Sequence, residues 1–277
     1  MCIFHSVNHL RIDDVNCLKE IAREVRSAVI PILGVNESKQ VVGRGFGGDQ
    51  TLLVDKVAEE AITRYLERHK VECTFVGEER GVQTIGEKPE FYLVADAVDG
   101  TTNATRGINF VSASLAVAPA DDLGQVEAAV VMNLCHGETF EAEKGKGARC
   151  NGKRVRASDV VSLKDAVLGV DVSRSPDSVG RSAPFMRKAK TVRSFGSAAL
   201  EICYVASGRL DAYVDLRGML RTVDFAAVML IVEEAGGIFV QSDGRGFSGY
   251  RLSELNRFSV LAAANEGIYR ELASNIT

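Results

Sequence analysis

The sequence predicts an α+β fold, and three features of its 277 residues carry that prediction. Apolar residues recur at helical spacing in some segments and form short strand-like runs in others, in blocks rather than in one repeating unit. Hydrophobic residues make up 46% and charged residues 25%, the balance of a chain that can bury a core. The rhythm of strands and helices changes near Arg156, which divides the chain into an N-terminal α+β lobe, residues 1–156, and a C-terminal α/β lobe, residues 157–277.

The elements follow in order. Asp13 and Asp14 precede VNCLKEIAREVRSAVIPIL, which reads as a helix with an acidic first turn, ending near Pro31. The glycine-rich VVGRGFGGD comes next, too flexible in composition for a stiff element, and then a helix over residues 54–69. Strand-like runs occupy residues 73–77, 91–95, 111–118, 126–132 and 138–142; the last three predict an antiparallel meander, turning at 120–124 and at His136-Gly137. In the second lobe, strands at 167–170, 189–192, 211–214, 237–240 and 258–262 alternate with helices near 184–188, 197–207, 224–235 and 266–273. No repeat, low-complexity tract or Pro/Ser-rich linker intervenes, so the lobes are expected to share an interface.

Composition excludes several function classes. Thirty-three Lys and Arg against 37 Asp and Glu leave a net charge of −4, without the concentrated positive charge that nucleic-acid binding or a polybasic membrane anchor needs. The six cysteines form no C-x-x-C pair, and the start, MCIFHSVNHLRIDD, has no secretory apolar run; reduced thiols and a cytoplasmic location are expected. No apolar run approaches the ~20 residues of a membrane span. His5 and His9 are four apart but have no adjacent acid, and are not read as a metal site.

Chemistry concentrates in carboxylates at the ends of elements. The apolar run Phe91-Tyr92-Leu93-Val94-Ala95 leads into Asp96-Ala97-Val98-Asp99-Gly100-Thr101-Thr102, placing two acids where a sheet meets a crevice, with a turn that could open a phosphate-binding helix. An Asp-Gly turn is the plain alternative. Glu78 and Glu79 end another strand, and Asp224 stands at the mouth of an apolar helix. Taken singly, these are a solvated ion pair with Arg80 and an N-cap. Together, several carboxylates without a Cys/His set need cations: two at ~4 Å repel by about 4 kcal/mol at an effective dielectric near 20, and all-oxygen ligation favours Mg²⁺ or Mn²⁺. Gly43, Gly45 and Gly48 also scan as G-x-G-x-x-G, but no adequate strand precedes them and the acidic position expected some twenty residues on falls in a helix, so a dinucleotide site is rejected.

Four spaced blocks resemble the inositol monophosphatase family, and more narrowly its archaeal inositol monophosphatase/fructose-1,6-bisphosphatase branch. They are Gly77-Glu78-Glu79, Asp96-Ala97-Val98-Asp99-Gly100-Thr101-Thr102, Gly196-Ser197-Ala198-Ala199, and Val223-Asp224-Phe225-Ala226-Ala227 continuing to Glu234-Ala235-Gly236-Gly237. Ala97 replaces the family's usual Pro and Val223 its usual Trp; both lie beside ligands rather than at them.

The resemblance implies a layered αβαβα sandwich and a magnesium-dependent phosphomonoesterase acting on inositol monophosphate, fructose-1,6-bisphosphate or both. It implies two or three Mg²⁺ ions (Mn²⁺ being the substitute), most of whose ligands come from the first lobe: Glu78, Asp96 and the carbonyl of Val98 at the first, Asp96, Asp99 and Asp224 at the second, and Glu78 near a third. Catalysis would fall to Glu78 and to a Thr101–Asp55 dyad that takes the proton of an attacking water. Thr101 has the alternative of capping the helix after Gly100. The amides of Gly100 and Thr101 would hold phosphate, and Ser197 and Asp215 would touch substrate hydroxyls. Arg193, Arg217 and Arg221, and less directly Arg44, Ser173 and Arg174, are candidates for a second phosphate. The glycine-rich stretch would be the family's mobile, metal-responsive loop. The partner implied is a small phosphate ester, and the assembly a homodimer. Competing readings are an adenosine 3′,5′-bisphosphate or NADP phosphatase of the same superfamily, and a catalytically silent phosphate-binding regulator. The absence of Trp and the six Tyr leave few base-stacking platforms for a nucleotide.

Overall fold

The computed structural model describes residues 15–254 and 256–276. Cys2, His5, His9, Asp13 and Asp14 lie outside them. Helix α1 (Val15–Val29) buries Leu18, Ile21, Ala22, Val25 and Val29, the spacing of one helix face, and a 3-10 turn containing Pro31 follows it. The glycine-rich stretch differs from the structureless loop its composition suggests. It is an antiparallel hairpin, β1 (Val41–Arg44) and β2 (Gln50–Leu52), because backbone pairing supplies order without side chains: Gly45 N donates to Asp49 O, and Phe46 N to Glu79 O, both at 2.9 Å. Helix α2 (Leu53–Arg68) begins immediately after it.

The large sheet contains β3 (Cys73–Gly77), β4 (Gly81–Ile85), β5 (Tyr92–Asp99), β6 (Ser112–Ala118), β7 (Ala128–Asn133), β8 (Thr139–Glu143), β9 (Gly147–Cys150) and β10 (Lys153–Arg154). Their order is β10-β9-β8-β7-β6-β5-β3-β4, all antiparallel except β3 against β5. The β6–β7–β8 meander is the expected one. Short helix α3 (Thr101–Arg106) interrupts the path from β5 to β6.

The second sheet runs β12-β11-β13-β15-β14. Its strands are β11 (Val167–Asp171), β12 (Thr191–Arg193), β13 (Ala212–Arg221), β14 (Ile238–Gln241) and β15 (Arg257–Ala263). The helices are α4 (Pro176–Lys188), α5 (Ala198–Ala206), α6 (Thr222–Glu234) and α7 (Glu266–Ala273). Helix α4 starts at Pro176 rather than near Pro184: either proline suits a first turn, and Pro184 is carried inside the helix.

Alternation along the strands builds the layers. Leu93, Ala95, Leu115 and Val117 face α1 and α2, whereas Val94 and Ala116 face α5 and α6. On the second sheet, Tyr213, Val260 and Ala262 face α5 and α6, and Ala212, Val214, Leu261 and Ala263 face α4 and α7. The result is the αβαβα sandwich. Helix α6 is apolar on all sides and buried at every position from Thr222 to Val232, as expected of a helix between two sheets.

Candidate active site

The cleft forms where β5, the β3–β4 turn and the start of α6 meet. Regular strands alternate faces, so residues three apart, such as Asp96 and Asp99, would point to opposite sides. A bulge prevents this. Asp96 pairs with Ser114 and Asp99 with Ser112, so β5 carries one extra residue. Ala97 and Val98 both pack in the α1–α2 core, leaving both aspartates to line the cleft. Gly100 then turns the chain at φ +96°, a left-handed conformation that favours glycine, and a Cβ there would sit 3.1 Å from the carbonyl oxygens of Gly196 and Phe110.

Glu78 is delivered by a braced turn. Glu59, buried on α2, accepts the backbone N–H groups of Glu79 and Arg80 at 2.9 and 3.0 Å. Gly77 leaves room for that brace, since its Cβ would approach a Glu59 carboxylate oxygen to 2.6 Å. Asp224 lies in the first turn of α6 and accepts Arg221 N at 2.8 Å. Oxygens of Glu78, Asp96 and Asp224 all fall within 4.8 Å of one another.

Electrostatics mark this cluster as incomplete without positive charge. Burial, helped by Asp224 and opposed by Arg221, pushes the Glu78 carboxyl up to about 8. Asp96 is raised well above the ordinary carboxylate range by burial and by Glu78, Asp99 and Asp224. Burial also raises Asp99 to about 6, against hydrogen bonds from Ser197 and the amide of Ala199. Arg221 reaches the cluster, with Nη2 2.6 Å from Glu78 and 3.1 Å from Asp224. One guanidinium cannot neutralise four carboxylates. An all-oxygen, buried and anionic donor set fits hard divalent cations.

Beside the cluster, Thr101 Oγ1 lies 3.0 Å from Asp55 Oδ1 and 3.2 Å from the Val98 carbonyl. Asp55 also accepts Leu52 N at 3.1 Å, and burial still pushes its carboxyl up to about 7. The cleft, about 190 Å³, is further lined by Gly100, Thr101, Arg217 and Arg221.

Several sequence-predicted contacts are not brought to the cleft. Ser197 is fully buried and donates to Asp99, so its hydroxyl supports a cleft carboxylate instead of meeting substrate. Asp215 is also fully buried, paired with Arg217 Nη2 at 2.6 Å. Arg217 in turn reaches Asp171 at 2.8 Å, so two acids occupy its donors. Arg193 is exposed and donates to the carbonyl of Val192, outside the cleft lining, because β12 is an edge strand. Arg44 is likewise exposed and outside it. Thr101 does not cap α3: Gly100 is the N-cap, without a side-chain bond.

The structure adds Arg257, Asp49 and Asp171, which the sequence left unassigned, and brings Arg174, a candidate there, to the cleft. Arg257 and Asp49 line the cleft mouth, the former because β15 pairs it directly with Arg221. Asp49 Oδ2 lies 3.8 Å from both guanidinium groups. Asp171 lines the cleft too, as does Arg174, at φ +57° and without a hydrogen bond or ion pair among the described residues. Chain order holds no signal for the Arg257 pairing.

Known proteins resemble this chain over nearly its whole length. Residues 14–277 match the inositol monophosphatase family. A fructose-1,6-bisphosphatase/inositol-1-monophosphatase of Methanothermobacter thermautotrophicus is 36% identical over 92% of this chain and 94% of its own. A bifunctional NADP phosphatase/NAD kinase of Methanococcus maripaludis is 34% identical over 91% of this chain, which spans 47% of that protein. Among solved structures, the extragenic suppressor protein suhB of Bartonella henselae superimposes with a TM-score of 0.81 at 30% identity, covering 95% of this chain and 98% of that one.

Proposed function

The chain belongs to the inositol monophosphatase family, and from that premise we propose that it is a metal-dependent phosphatase hydrolysing inositol monophosphate, fructose-1,6-bisphosphate or both. The observation that carries this reading is the convergence of Glu78, Asp96 and Asp224 within 4.8 Å, beside the Thr101–Asp55 pair. Glu78, Asp96, the Val98 carbonyl, Asp99 and Asp224 would hold two or three Mg²⁺ or Mn²⁺ ions. Such ions, when bound, supply the charge that acidifies a water and shields the phosphate.

The chain's own groups do the rest. Asp55, poised near neutrality, accepts a proton passed through the Thr101 hydroxyl. The backbone N–H groups of Gly100 and Thr101, at the open start of α3 in the cleft lining, would hold phosphate oxygens. Asp99 is held in aim by Ser197 and by Ala199 N at 2.8 Å. Arg174 and Arg257 offer donors to a second phosphate better than Arg217 does, because Arg217 is already paired twice. Division of the chain into lobes 1–156 and 157–277 and assembly as a homodimer accompany this reading; sedimentation at micromolar concentration tests the dimer. Among the described residues no helix is long and apolar enough to cross a membrane.

The second reading, an NADP phosphatase, is favoured by the Methanococcus maripaludis relative. Among the described residues no aromatic side chain lines the cleft to stack a base, which supports the first. Phosphate release with Mg²⁺ from fructose-1,6-bisphosphate, inositol-1-phosphate, adenosine 3′,5′-bisphosphate and NADP separates the two. Release from none of them, or undiminished release in excess chelator, would refute a metal-dependent phosphatase.

A further inference from the structure

A donor-rich cavity outside the cleft lies against α1, on the opposite face of the large sheet. It has a volume of about 490 Å³ and shares no lining residue with the cleft. Lys19, Arg23 and Arg26 enter it at i, i+4 and i+7, one face of the helix. Across from them stand Thr139 and Glu141 of β8, Asn151, and the turn at Gly137.

Charge and donors here are unbalanced. Glu141 is the sole carboxylate among the described lining residues, and it is committed to Lys19 at 2.8 Å. The strand register also sets Arg149 directly opposite Glu141. The Arg23 guanidinium has no hydrogen bond or ion pair among the described residues; only its backbone carbonyl accepts one, from Ser27 Oγ at 2.9 Å. Among the described residues Arg26 meets no carboxylate: its Nη2 reaches the Cys135 carbonyl, at 3.4 Å, and its Nε is buried without a partner. A desolvated guanidinium N–H lacking an acceptor is costly, and in native structures such a group calls for a missing partner. Asn151 adds to the excess, because its Oδ1 already accepts Thr139 N at 2.9 Å and leaves the amide N–H₂ as a donor. Donors thus converge from α1 and from the β9–β10 turn, and among the described lining residues the carboxylate that faces them is already paired with Lys19.

We propose that this cavity is a second anion site, separate from the catalytic cleft, which binds a phosphorylated small molecule. Arg23 and Arg26 clasp the phosphate with charge-assisted bonds, Asn151 donates from the opposite wall, and the buried Met132 offers an apolar surface to the remainder of the ligand. The volume exceeds that of a bare phosphate, which is why a phosphorylated metabolite rather than the inorganic ion is the fitting class.

Tungstate, a heavy phosphate mimic, tests the site on the full chain. Crystals soaked in it should show an anomalous peak within hydrogen-bond reach of Arg23 and Arg26. In solution, calorimetric titration of the wild type should show one more tungstate site per chain than Arg23→Gln/Arg26→Gln. Arg23→Gln alone, at an exposed position that cannot endanger the fold, should weaken that site about tenfold, the loss of one charge-assisted bond. Phosphate release should be unchanged in both variants. Absence of the peak, or identical isotherms for wild type and Arg23→Gln, overturns the proposal, and a peak in crystals with identical isotherms means binding at crystal concentration only and overturns it equally.

Discussion

Replacing Thr101 with alanine separates chemistry from scaffolding. The hydroxyl lies within bonding distance of Asp55 at 3.0 Å and of the Val98 carbonyl at 3.2 Å, but it has a single proton to donate, so it makes one donor bond at a time. Helix α3 does not need it, because Gly100 provides the N-cap. The structural loss is therefore one hydrogen bond, a net cost of about 0.5–1.5 kcal/mol. A loss of that size lowers the melting temperature of a chain this long by only a few degrees, roughly 2–4 °C per kcal/mol. If the hydroxyl passes the proton of the attacking water towards Asp55, kcat falls by ~10²–10⁴, equivalent to about 2.7–5.4 kcal/mol of barrier. The catalytic role thus predicts a far larger effect than the structural one, and in a different observable. Phosphate release at saturating substrate and metal, and the thermal midpoint, should be measured on one preparation, with Thr101→Ser as the rescue. A Thr101→Ala enzyme with a lowered midpoint and full kcat would refute the relay.

Other outcomes follow from the same geometry. Asp55 acts as a base only when ionised, and with its carboxyl at about 7 the rate should rise with pH up to that value and level off above it; Asp55→Asn should erase the inflection, and an inflection that survives would assign it elsewhere. Asp96→Asn should abolish turnover, whereas Asp121→Asn should keep turnover and lose stability. The sequence placed Asp121 in an exposed turn, but it accepts Ser253 N and Arg251 Nε, each at 2.8 Å; equal activities of the two folded variants would contradict the assignment. Glu201 is buried, its Oε2 has no partner among the described residues, and burial raises its carboxyl from 4.5 to about 8. The folded state then holds a proton that the unfolded state has released, so stability is lost as pH climbs through that window, by up to about 4 kcal/mol. Glu201→Gln should flatten this slope, as read from denaturant midpoints between pH 5 and pH 9; parallel slopes for variant and wild type would exclude Glu201 as its source.

Legibility in the sequence followed the range of the interaction concerned. Helix α6 was readable because thirteen residues of local apolar pattern define it. The acids at 78, 96, 99 and 224 were readable because each stands next to a local apolar run, at residues 73–77, 91–95 or 225–232. Whether Asp96 and Asp99 share a face was not, since the bulge exists only in the pairing of β5 with β6. Ser197 and Asp215 show the converse error. Their side-chain chemistry suits a substrate hydroxyl, but burial turns them towards Asp99 and Arg217. Strands β4 and β10 escaped notice because exposed positions break their apolar pattern.

The placement of α6 has a consequence for how the chain is made. The large sheet can close one face as soon as it forms, since α1 and α2 precede it in the chain. Its other face, with Val94, Ala116, Val131 and Phe140, is covered by α5 and α6, which leave the ribosome only after the whole sheet has been synthesised. Until then a broad apolar surface stands open to other nascent chains, the condition in which folding intermediates aggregate. A ribosome-stalled chain with residues up to 156 clear of the exit tunnel should therefore bind chaperones that the completed protein ignores, and one with Glu234 clear of it should release them.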